Sequence, residues 1–423
     1  MARNRVIYQS EALFVGQKTG VTTAHTAAGT IKQLHRVQSA NYAFSVARTD
    51  VNQFGELAAI DRVVLDTPTV SLDYSYYLAN MSNEANMGFF VNPKATATAS
   101  LVSALSGVLN KTEDERNYFI QTSREGEDAV GDTDRDLEVA GGANSASVIG
   151  LGNGFITSYS SEASVGGFPT VSVAVEAMNM LFTTGTQNVP NPGINRIDGT
   201  AATTSISLPT VSGDRYSDSE RGTDAGSQSG ILSISTLRPG DITIKIAEHS
   251  TDGSFGSTDY DLGGAKLPTA GGDATESANI QSYNISFDLG RTPIQRLGNR
   301  FAFAREVDFP VNVSLSVDAI MTDLTTGNLN DLIDCEKSYD VMIQLKGITG
   351  SACDTVKADV ASYILKNVKP DSQSFSSSIG DNKTVTLDFS TQIGGPRDTN
   401  AGVFFAGVTD SQTLVESSGS FAD

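Results

Sequence analysis

Few side chains in this sequence have the type and spacing that catalysis or metal binding requires. The three histidines, His25, His35 and His249, are far apart and form no metal-ligand motif. No G-x-S-x-G motif stands between a strand pattern and a helix pattern, where a nucleophilic serine would need it. Acid pairs such as Asp259 and Asp261 are common in any acidic surface. The sequence therefore predicts that the protein is not an enzyme.

Three aspartates at alternate positions, Asp132, Asp134 and Asp136, have the spacing that begins an EF-hand calcium loop. Such a loop needs glycine at its sixth position and glutamate at its twelfth, where this sequence has Leu137 and Ala143. The calcium interpretation therefore fails at both diagnostic positions. We expect a solvated acidic loop without a bound metal.

Gly150, Gly152 and Gly154 lie in the sequence GLGNG, which has the glycine density of a phosphate-binding loop. A dinucleotide fingerprint requires a helix directly after its glycines, because the helix N-terminus binds the pyrophosphate. Here the sequence ITSYS follows, and it continues as a strand pattern. We therefore predict no cofactor.

Composition and charge exclude further classes of function. The chain has 423 residues and a formal net charge of −20, so it lacks the clustered cations that hold nucleic-acid phosphates. Its two cysteines, Cys335 and Cys353, are too few for a disulfide scaffold and are expected to be reduced. No stretch reaches the ~20 apolar residues of a membrane span, and no signal-peptide hydrophobic region is present. These features predict a soluble protein that is not secreted.

An internal repeat is the strongest signal in the sequence. Val37–Leu72 aligns with Ile280–Leu315 without a gap, at a constant offset of 243 residues, and thirteen of the thirty-six pairs are identical. Unrelated sequences of ordinary composition would share about two or three. A second block, which starts at Ser158 in one copy and at Ser372 in the other, aligns at an offset of 214. We therefore predict one domain type twice, with 29 additional residues between the shared blocks of the first copy.

The repeat divides the chain into two domains of ordinary size. We place the first β domain at residues 1–187, a linker or surface excursion at 188–230 and the second β domain at 231–423. The linker is rich in Gly, Ser, Thr, Asp and Pro and has little apolar periodicity. Long surface insertions of this kind cost little stability.

Apolar and polar residues alternate along the repeated blocks, for example at Tyr42, Phe44 and Val46 and at Val70 and Leu72. A period of two indicates strands with one buried face. The glycine-containing stretches that join these strands have the composition of long hairpins. The repeated blocks therefore predict paired strands, each pair joined by a hairpin.

A helical period appears once in each copy. Leu101, Leu105 and Leu109 recur every four residues within Ala97–Leu109, and a weaker counterpart covers Leu324–Ile333. We therefore predict a mainly β fold: two tandem β-sandwich domains, each with a long hairpin and one flanking α-helix.

Six residues recur at equivalent positions of the two predicted hairpins, and these are our candidate assembly residues. They are Arg48, Gly55 and Arg62 in the first copy and Arg291, Gly298 and Arg305 in the second. The arginines have two interpretations of equal weight: ion pairs between subunits, or ion pairs at strand ends within one domain.

The order of these elements resembles that of a known family. Strand, long hairpin, strand, helix and late strands, with the block ITSYSSEASVGGFPTVSVAVEAMN and its counterpart SQSFSSSIGDNKTVTLDFST, look like the tail tube proteins, or major tail proteins, of long-tailed bacteriophages. The similarity is to a pattern, and it covers most of both halves except the linker. It implies β-sandwich domains arranged six to a ring, with hairpins from neighbouring domains joined into a barrel that lines the lumen.

The resemblance implies a structural subunit of the virion tail that polymerises into stacked rings, the conduit for genome delivery. With two domains in each chain, a homotrimer would complete a ring of pseudo-sixfold symmetry. The implied partners are further copies of the chain, the tape measure protein in the lumen, and tail terminator and distal tail proteins at the ends. DNA would pass transiently without specific binding, and assembly would take place in the host bacterial cytoplasm.

An acidic lumen suits such a conduit, because each Lys or Arg contact with a phosphate would add affinity for the passing DNA. We also expect Asn52–Arg62 and Gln295–Arg305 to form the ring interior or contacts between rings. Two alternatives stay open. The chain is another tail component with the same fold, such as a distal tail or hub protein, or it is a β-sandwich decoration or adhesion protein.

Overall fold

The structure is a computed structural model. It describes residues 11–17, 31–78, 80–93, 101–109, 115–123, 129, 146–185, 188–195, 198–206, 208, 237, 239–249, 260–261, 279–320, 338–348, 357–378, 382–395 and 398–407.

The described first half is built from strands and one short helix. In chain order they are β1 (Glu11–Gln17), β2 (Ile31–Gln33), β3 (Val37–Ser45), β4 (Arg48–Val51), β5 (Asp61–Val64), β6 (Thr69–Tyr77), α1 (Ser82–Met87), β7 (Val91–Pro93), β8 (Arg116–Thr122), β9 (Ser147–Ser164), β10 (Thr170–Ala177) and β11 (Asn179–Thr184). A two-stranded ribbon follows, made of β12 (Val189–Pro190) and β13 (Ser205–Ile206).

The described second half consists of strands and one 3-10 turn at Pro239–Asp241. The strands are β14 (Ile242–Glu248), β15 (Tyr260–Asp261), β16 (Asn279–Asp288), β17 (Arg291–Ile294), β18 (Ala304–Val307), β19 (Val311–Ile320), β20 (Tyr339–Ile348), β21 (Lys357–Ser376), β22 (Thr384–Ile393) and β23 (Gly402–Gly407).

Seventeen of these strands form three sheets, while β4–β5, β12–β13 and β17–β18 form separate two-stranded ribbons. The first outer sheet has the order β2-β1-β8-β9-β11. The second outer sheet has the order β15-β14-β20-β21-β23-β7, in which only the β23–β7 pair is parallel. The central sheet is antiparallel throughout and has the order β3-β6-β10-β9-β16-β19-β22-β21. Its first four strands come from the first half and its last four from the second.

Two long strands, β9 and β21, each belong to an outer sheet at one end and to the central sheet at the other. Each changes direction at an asparagine with positive φ, Asn153 at 54° and Asn367 at 55°. Asparagine adopts this left-handed conformation more readily than most residues. The two positions are separated by the same 214 residues as the second repeated block. The strand order of one half therefore follows that of the other, while their origin as copies stays a prediction.

The core lies between the central sheet and the outer sheets, and it explains the alternating sequence pattern. On β6, Val70, Leu72, Tyr74 and Tyr76 are buried while Ser71 and its alternate neighbours face solvent. Each fully buried Val or Leu side chain contributes about 1.5–3 kcal/mol to folding. The predicted mainly β fold is confirmed.

The helix predicted at Ala97–Leu109 is wrong over its described part, residues 101–109, which form only a 3-10 turn at Ala104–Ser106. The Asn92 side chain accepts a hydrogen bond from the Val102 backbone N–H and donates one to the Val102 carbonyl, so these groups need no helix. The leucine period reflects burial in two different clusters, with Leu101 in one and Leu105 in the other. The helix of this half is α1, earlier in the chain.

Part of the predicted linker packs on the first half. Val189, Ile206 and Leu208 are buried in a cluster with Phe14 and Phe119 of the first outer sheet. The domain boundaries themselves stay a prediction. The predicted helix at 324–333, nearly all of the acidic loop, both cysteines and residues 209–236 lie outside the described residues.

Candidate functional site

The two halves meet in the central sheet, where β9 pairs with β16. The junction is closed by backbone hydrogen bonds, including one from the Leu289 N–H to the Thr157 carbonyl at 2.7 Å. Phe287 lies under the junction with its ring stacked on Tyr159 at a centroid distance of 5.2 Å. Phe287 is 2 % exposed and Leu289 is 0 % exposed, so the apolar edge of the second half is covered by the first.

The same edge of the first half is uncovered. Among the described strands, β3 pairs only with β6, and the last part of β21 pairs only with β22 within the central sheet. Phe44 and Val46 occupy the positions that correspond to Phe287 and Leu289 at the offset of 243. They are 66 % and 36 % exposed. The sheet therefore ends in one apolar edge and one edge equivalent to β9.

The outward face of the central sheet carries an almost continuous set of hydroxyl, amide and carboxylate groups. Side chains on neighbouring strands hydrogen bond across it: Ser39 with Ser75 and Ser286 with Ser314 join hydroxyls, while Ser316 and Ser372 donate to Asp388. Both hydroxyl donors hold the pKa of Asp388 below its usual value. Asp388 therefore stays ionised at neutral pH.

The charge on these eight strand segments is strongly one-sided. Their acidic residues are Asp73, Glu162, Glu176, Asp288, Asp318, Asp371 and Asp388. Their one basic residue, counted over the part of each strand in the central sheet, is Lys369 at the end of the last strand. A polyanion therefore meets hydroxyls and carboxylates on this face.

The second hairpin, β17–β18, packs on the first half at the end of this face. Arg305 is 1 % exposed, and its Nη1 lies 2.5 Å from Oε1 of Glu176 on β10. The guanidinium carbons of Arg291 and Arg305 lie 4.9 and 5.9 Å from the ring centroid of Phe155. Ala302 completes the buried contact against Phe155. An ion pair and two cation–π contacts thus fasten this hairpin to the other half.

The first hairpin, β4–β5, contacts nothing comparable among the described residues. Every residue of β4 and β5 is exposed. Arg62 donates to Asp50 of the same hairpin at 2.6 Å, with the two side chains 69 % and 45 % exposed. Phe54 and Leu57 near the tip are fully exposed. The tip of this hairpin therefore leaves apolar side chains in solvent.

The six predicted assembly residues lie in these hairpins but are not brought together. Gly55 and Gly298 have φ values of 96° and 85°, which glycine adopts without strain. Arg291 and Arg305 meet over Phe155, whereas Arg48 and Arg62 stay on the exposed first hairpin. Their role in assembly stays a prediction.

Sequence reasoning missed the residues that receive the second hairpin. Glu176 alternates on its strand like any solvent-facing residue, and Phe155 reads as an ordinary strand residue. The internal repeat offers one signal. At the offset of 214, Glu176 and Phe155 correspond to Ser390 and Lys369, so the acidic and aromatic side chains of the first half are not repeated in the second.

A buried carboxyl group lies beneath the junction between the halves. Glu84 of α1 is 0 % exposed, and its Oε1 accepts hydrogen bonds from the hydroxyls of Tyr76 at 2.6 Å and Tyr159 at 3.1 Å. The Tyr159 hydroxyl also lies 2.8 Å from that of Tyr363 in the second half. Burial raises the pKa of Glu84 to about 7, although both tyrosine hydrogen bonds act to lower it. No sequence pattern indicated this group.

The described residues contain no group of three His, Cys, Asp or Glu side chains placed to hold a metal ion. Nδ1 of His249 lies 2.7 Å from Oδ1 of the buried Asp340. This side-chain pair gives His249 a structural role. Burial, together with the neighbouring Arg36, lowers the pKa of His35 to about 4. No described helix is long and apolar enough to cross a membrane.

Comparison with solved structures gave matches to several chains. No protein-family model matches the chain, and no curated protein sequence matches it. A chain from the cryo-EM structure of the anti-feeding prophage (AFP) baseplate, 6-fold symmetrised, is 12 % identical, covering 40 % of this chain and 93 % of its own length, with a TM-score of 0.25. This TM-score is too low to indicate a shared fold, so the proposal below depends on the geometry of the chain itself.

Proposed function

We propose that this protein is a structural subunit of a phage tail that polymerises into stacked rings, the tail tube through which the genome is delivered. The observation that carries the proposal is the central sheet. It contains one junction between the halves, and it ends in two uncovered edges that correspond to the two sides of that junction.

Neighbouring chains would close these edges by repeating the internal junction. There, Ser286 faces Ser160 in an antiparallel register. Subtracting 243 from the residue numbers of β16 gives β3, and adding 214 to those of β9 gives β21. The same register therefore predicts how β3 of one chain pairs with β21 of the next. The resulting pairs are Ser39 with Ser378, Ala43 with Ser374 and Ser45 with Ser372. Closure would remove the exposed strand edges that otherwise promote irregular aggregation.

Apolar burial favours this closure. Phe44 and Val46 would become covered as Phe287 and Leu289 are covered inside the chain. Burying one exposed aromatic or aliphatic side chain contributes about 1.5–3 kcal/mol. The resemblance implies three chains to a ring, and three central sheets of eight strands would then form one continuous barrel.

The outward face of the central sheet supplies the lining of the proposed tube. Its hydroxyls and carboxylates leave DNA no cation to hold, apart from Lys369 at one rim. Each phosphate neutralised by Lys or Arg adds salt-sensitive affinity and would slow passage. The tape measure protein, tail terminator and distal tail proteins are the further partners of this proposal, in a virion assembled in the bacterial cytoplasm.

The test is negative-stain electron microscopy of the purified chain, with class averages of end-on particles. We expect hollow tubes or rings with three chains and pseudo-sixfold symmetry. Phe44→Lys should abolish ring closure, because it places a charge on the apolar edge. Phe182→Lys is the matched control, since Phe182 is a strand residue with 67 % exposure on the first outer sheet, and it should leave rings intact.

Monodisperse monomers of the unaltered chain would contradict the proposal and favour a decoration or adhesion protein. Single rings that never stack would instead identify a distal tail or hub protein. Equal loss of rings in both phenylalanine variants would contradict the proposed edge.

A further inference from the structure

The two hairpins have equal length but opposite charge. Residues 46–66 carry two arginines and four carboxylates, a net charge of −2. The equivalent residues 289–309 carry four arginines and two carboxylates, a net charge of +2. Length and glycine position are retained between the hairpins, whereas the sign of the charge is reversed.

The surface that receives a hairpin also differs in charge between the two halves, and the difference is complementary to that between the hairpins. Glu176 and Phe155 receive the second hairpin within the chain. Register fixes their counterparts in the second half, because Glu176 faces Phe155 across β10 and β9 as Ser390 faces Lys369 across β22 and β21. A carboxylate and an aromatic ring are thus replaced by a hydroxyl and an exposed ammonium group.

The bulge beside these positions is also retained. Thr157 lies in the bulge of β9 and accepts the hydrogen bond from Leu289, while Asp371 lies in the bulge of β21. Over the three corresponding positions the net charge changes from −1 to zero, even with Asp371 included. The receiving surface of the second half is therefore the less acidic one, as a hairpin of net charge −2 requires.

We infer that the receiving surface around Lys369 and Ser390 binds the first hairpin of a second copy of this chain. The reversed charges select the first hairpin for this surface and reject the second. This inference rests on the proposed ring. It adds the reason why unlike halves alternate around the ring, since complementary charge attracts the correct hairpin and like charge repels the wrong one.

The rejected pairing is unfavourable for a specific reason. A second hairpin placed on the second half would bring Arg291 and Arg305 against Lys369, with Ser390 in place of the carboxylate that neutralises them inside the chain. In the same pose the first hairpin would bring Arg48 and Arg62 to these positions. Arg62 is already neutralised by Asp50 of its own hairpin, and the hairpin carries a net charge of −2 instead of +2. Ring closure between two like halves is thereby suppressed.

A hairpin exchange tests this inference. Residues 46–66 are replaced by the sequence of residues 289–309, which has the same length, in the full chain. We expect the exchanged chain to fold, with an unchanged circular dichroism spectrum, and to need at least about tenfold more protein to form rings at low salt. Adding Lys369→Glu and Ser390→Glu to the exchanged chain should restore ring formation. Lys32→Glu, at an exposed position of β2 on the first outer sheet, changes the net charge by −2 against −3 for the pair; as a charge control away from the receiving surface, it should restore nothing.

Ring formation by the exchanged chain at the ordinary concentration would overturn the inference. Failure of the paired glutamates to restore rings, in an exchanged chain that folds, would also overturn it. Both results leave the proposed function standing as long as the unaltered chain forms rings. An unaltered chain that forms no rings refutes the proposed function itself, so the two failures are distinguishable.

Discussion

The central sheet has two equivalent apolar strand ends, one on β16 at the junction between the halves and one on β3 at the open edge, with similar residues and opposite environments. Phe287 and Leu289 are buried against the first half, whereas Phe44 and Val46 are exposed at the end of the sheet. Their local sequences and their positions on paired strands correspond. The difference shows that burial here depends on the strand of the other half that pairs alongside, and it makes the exposed edge the place where the proposed ring would add a partner.

The largest expected effect separates the two phenylalanines. In the unassembled chain, Phe287→Ala should lower the free energy of unfolding by about 3–5 kcal/mol, because it leaves a cavity in a packed junction. Phe44→Ala should change it by less than about 1 kcal/mol, since its side chain is already solvated. Urea denaturation of dilute, unassembled protein measures both. Similar losses in the two variants would break the comparison.

The arginines of the two hairpins should differ next. Arg305→Ala removes a buried cation from Glu176 and Phe155 and should cost about 2–4 kcal/mol of stability. Arg62→Ala breaks an exposed ion pair and should cost less than about 1 kcal/mol. Arg305→Lys is the informative control, because it retains the charge and loses the planar stack on Phe155, so it should recover only part of the loss. The same urea titration applies, and full recovery by lysine would contradict the stacking contribution.

The covered junction should also be sensitive to pH through Glu84. Its pKa is raised to about 7 in the folded protein, so the folded state retains a proton that the unfolded state releases. The stabilisation from this proton is complete below the unfolded pKa near 4.5 and is lost as pH rises through about 7. The loss amounts to about 3 kcal/mol.

Glu84→Gln should remove this part of the pH dependence, because a neutral amide keeps the hydrogen bonds to the tyrosines without ionising. Thermal or urea unfolding between pH 4.5 and 8 measures the slope. The Phe44→Ala variant, which alters only the open edge, should keep the slope of the unaltered chain. An unchanged slope in Glu84→Gln would show that the buried carboxyl does not titrate as described.

The smallest effect should be the same in both hairpins. Gly55→Ala and Gly298→Ala each force a residue with a Cβ into a positive φ, at a cost of about 1–2 kcal/mol. An added Cβ would meet no atom within 4 Å at either position, so sterics with neighbours add nothing. Asparagine at these positions should cost less than alanine. A much larger loss at Gly298 would show that the docked hairpin has less freedom than its geometry indicates.

Local pattern was enough to predict the strands and hairpins. The alternation on β6 and the glycines at both hairpin tips follow from backbone geometry, which depends on residues close in sequence. The leucine period at 101–109 misled for the same reason, because it matches a helix although its members are buried in two separate clusters. Periodicity indicates that residues are buried, but it does not indicate which part of the structure they pack against.

The site depends on long-range contacts that no local pattern contains. Arg305 meets Glu176, and Tyr159 meets Tyr363, only because β9 pairs with β16 and α1 lies beneath that junction. The repeat located the hairpins and made the arginines candidates. Arg305 is buried and Arg62 is not, because only the second hairpin packs on the other half of the same chain. This difference arises from the fold.

The most direct test of this account is a disulfide across the proposed junction between chains. Ala43→Cys and Ser374→Cys are combined in a chain with Cys335→Ser and Cys353→Ser, and oxidised rings are examined on a denaturing gel. We predict covalent trimers, since these positions face each other in the transferred register. Ala43→Cys with Gln373→Cys should not crosslink, because a shift of one residue turns the side chain to the opposite face. Rings that form with no crosslink at 43 and 374, or with equal crosslinking at 43 and 373, would contradict the account.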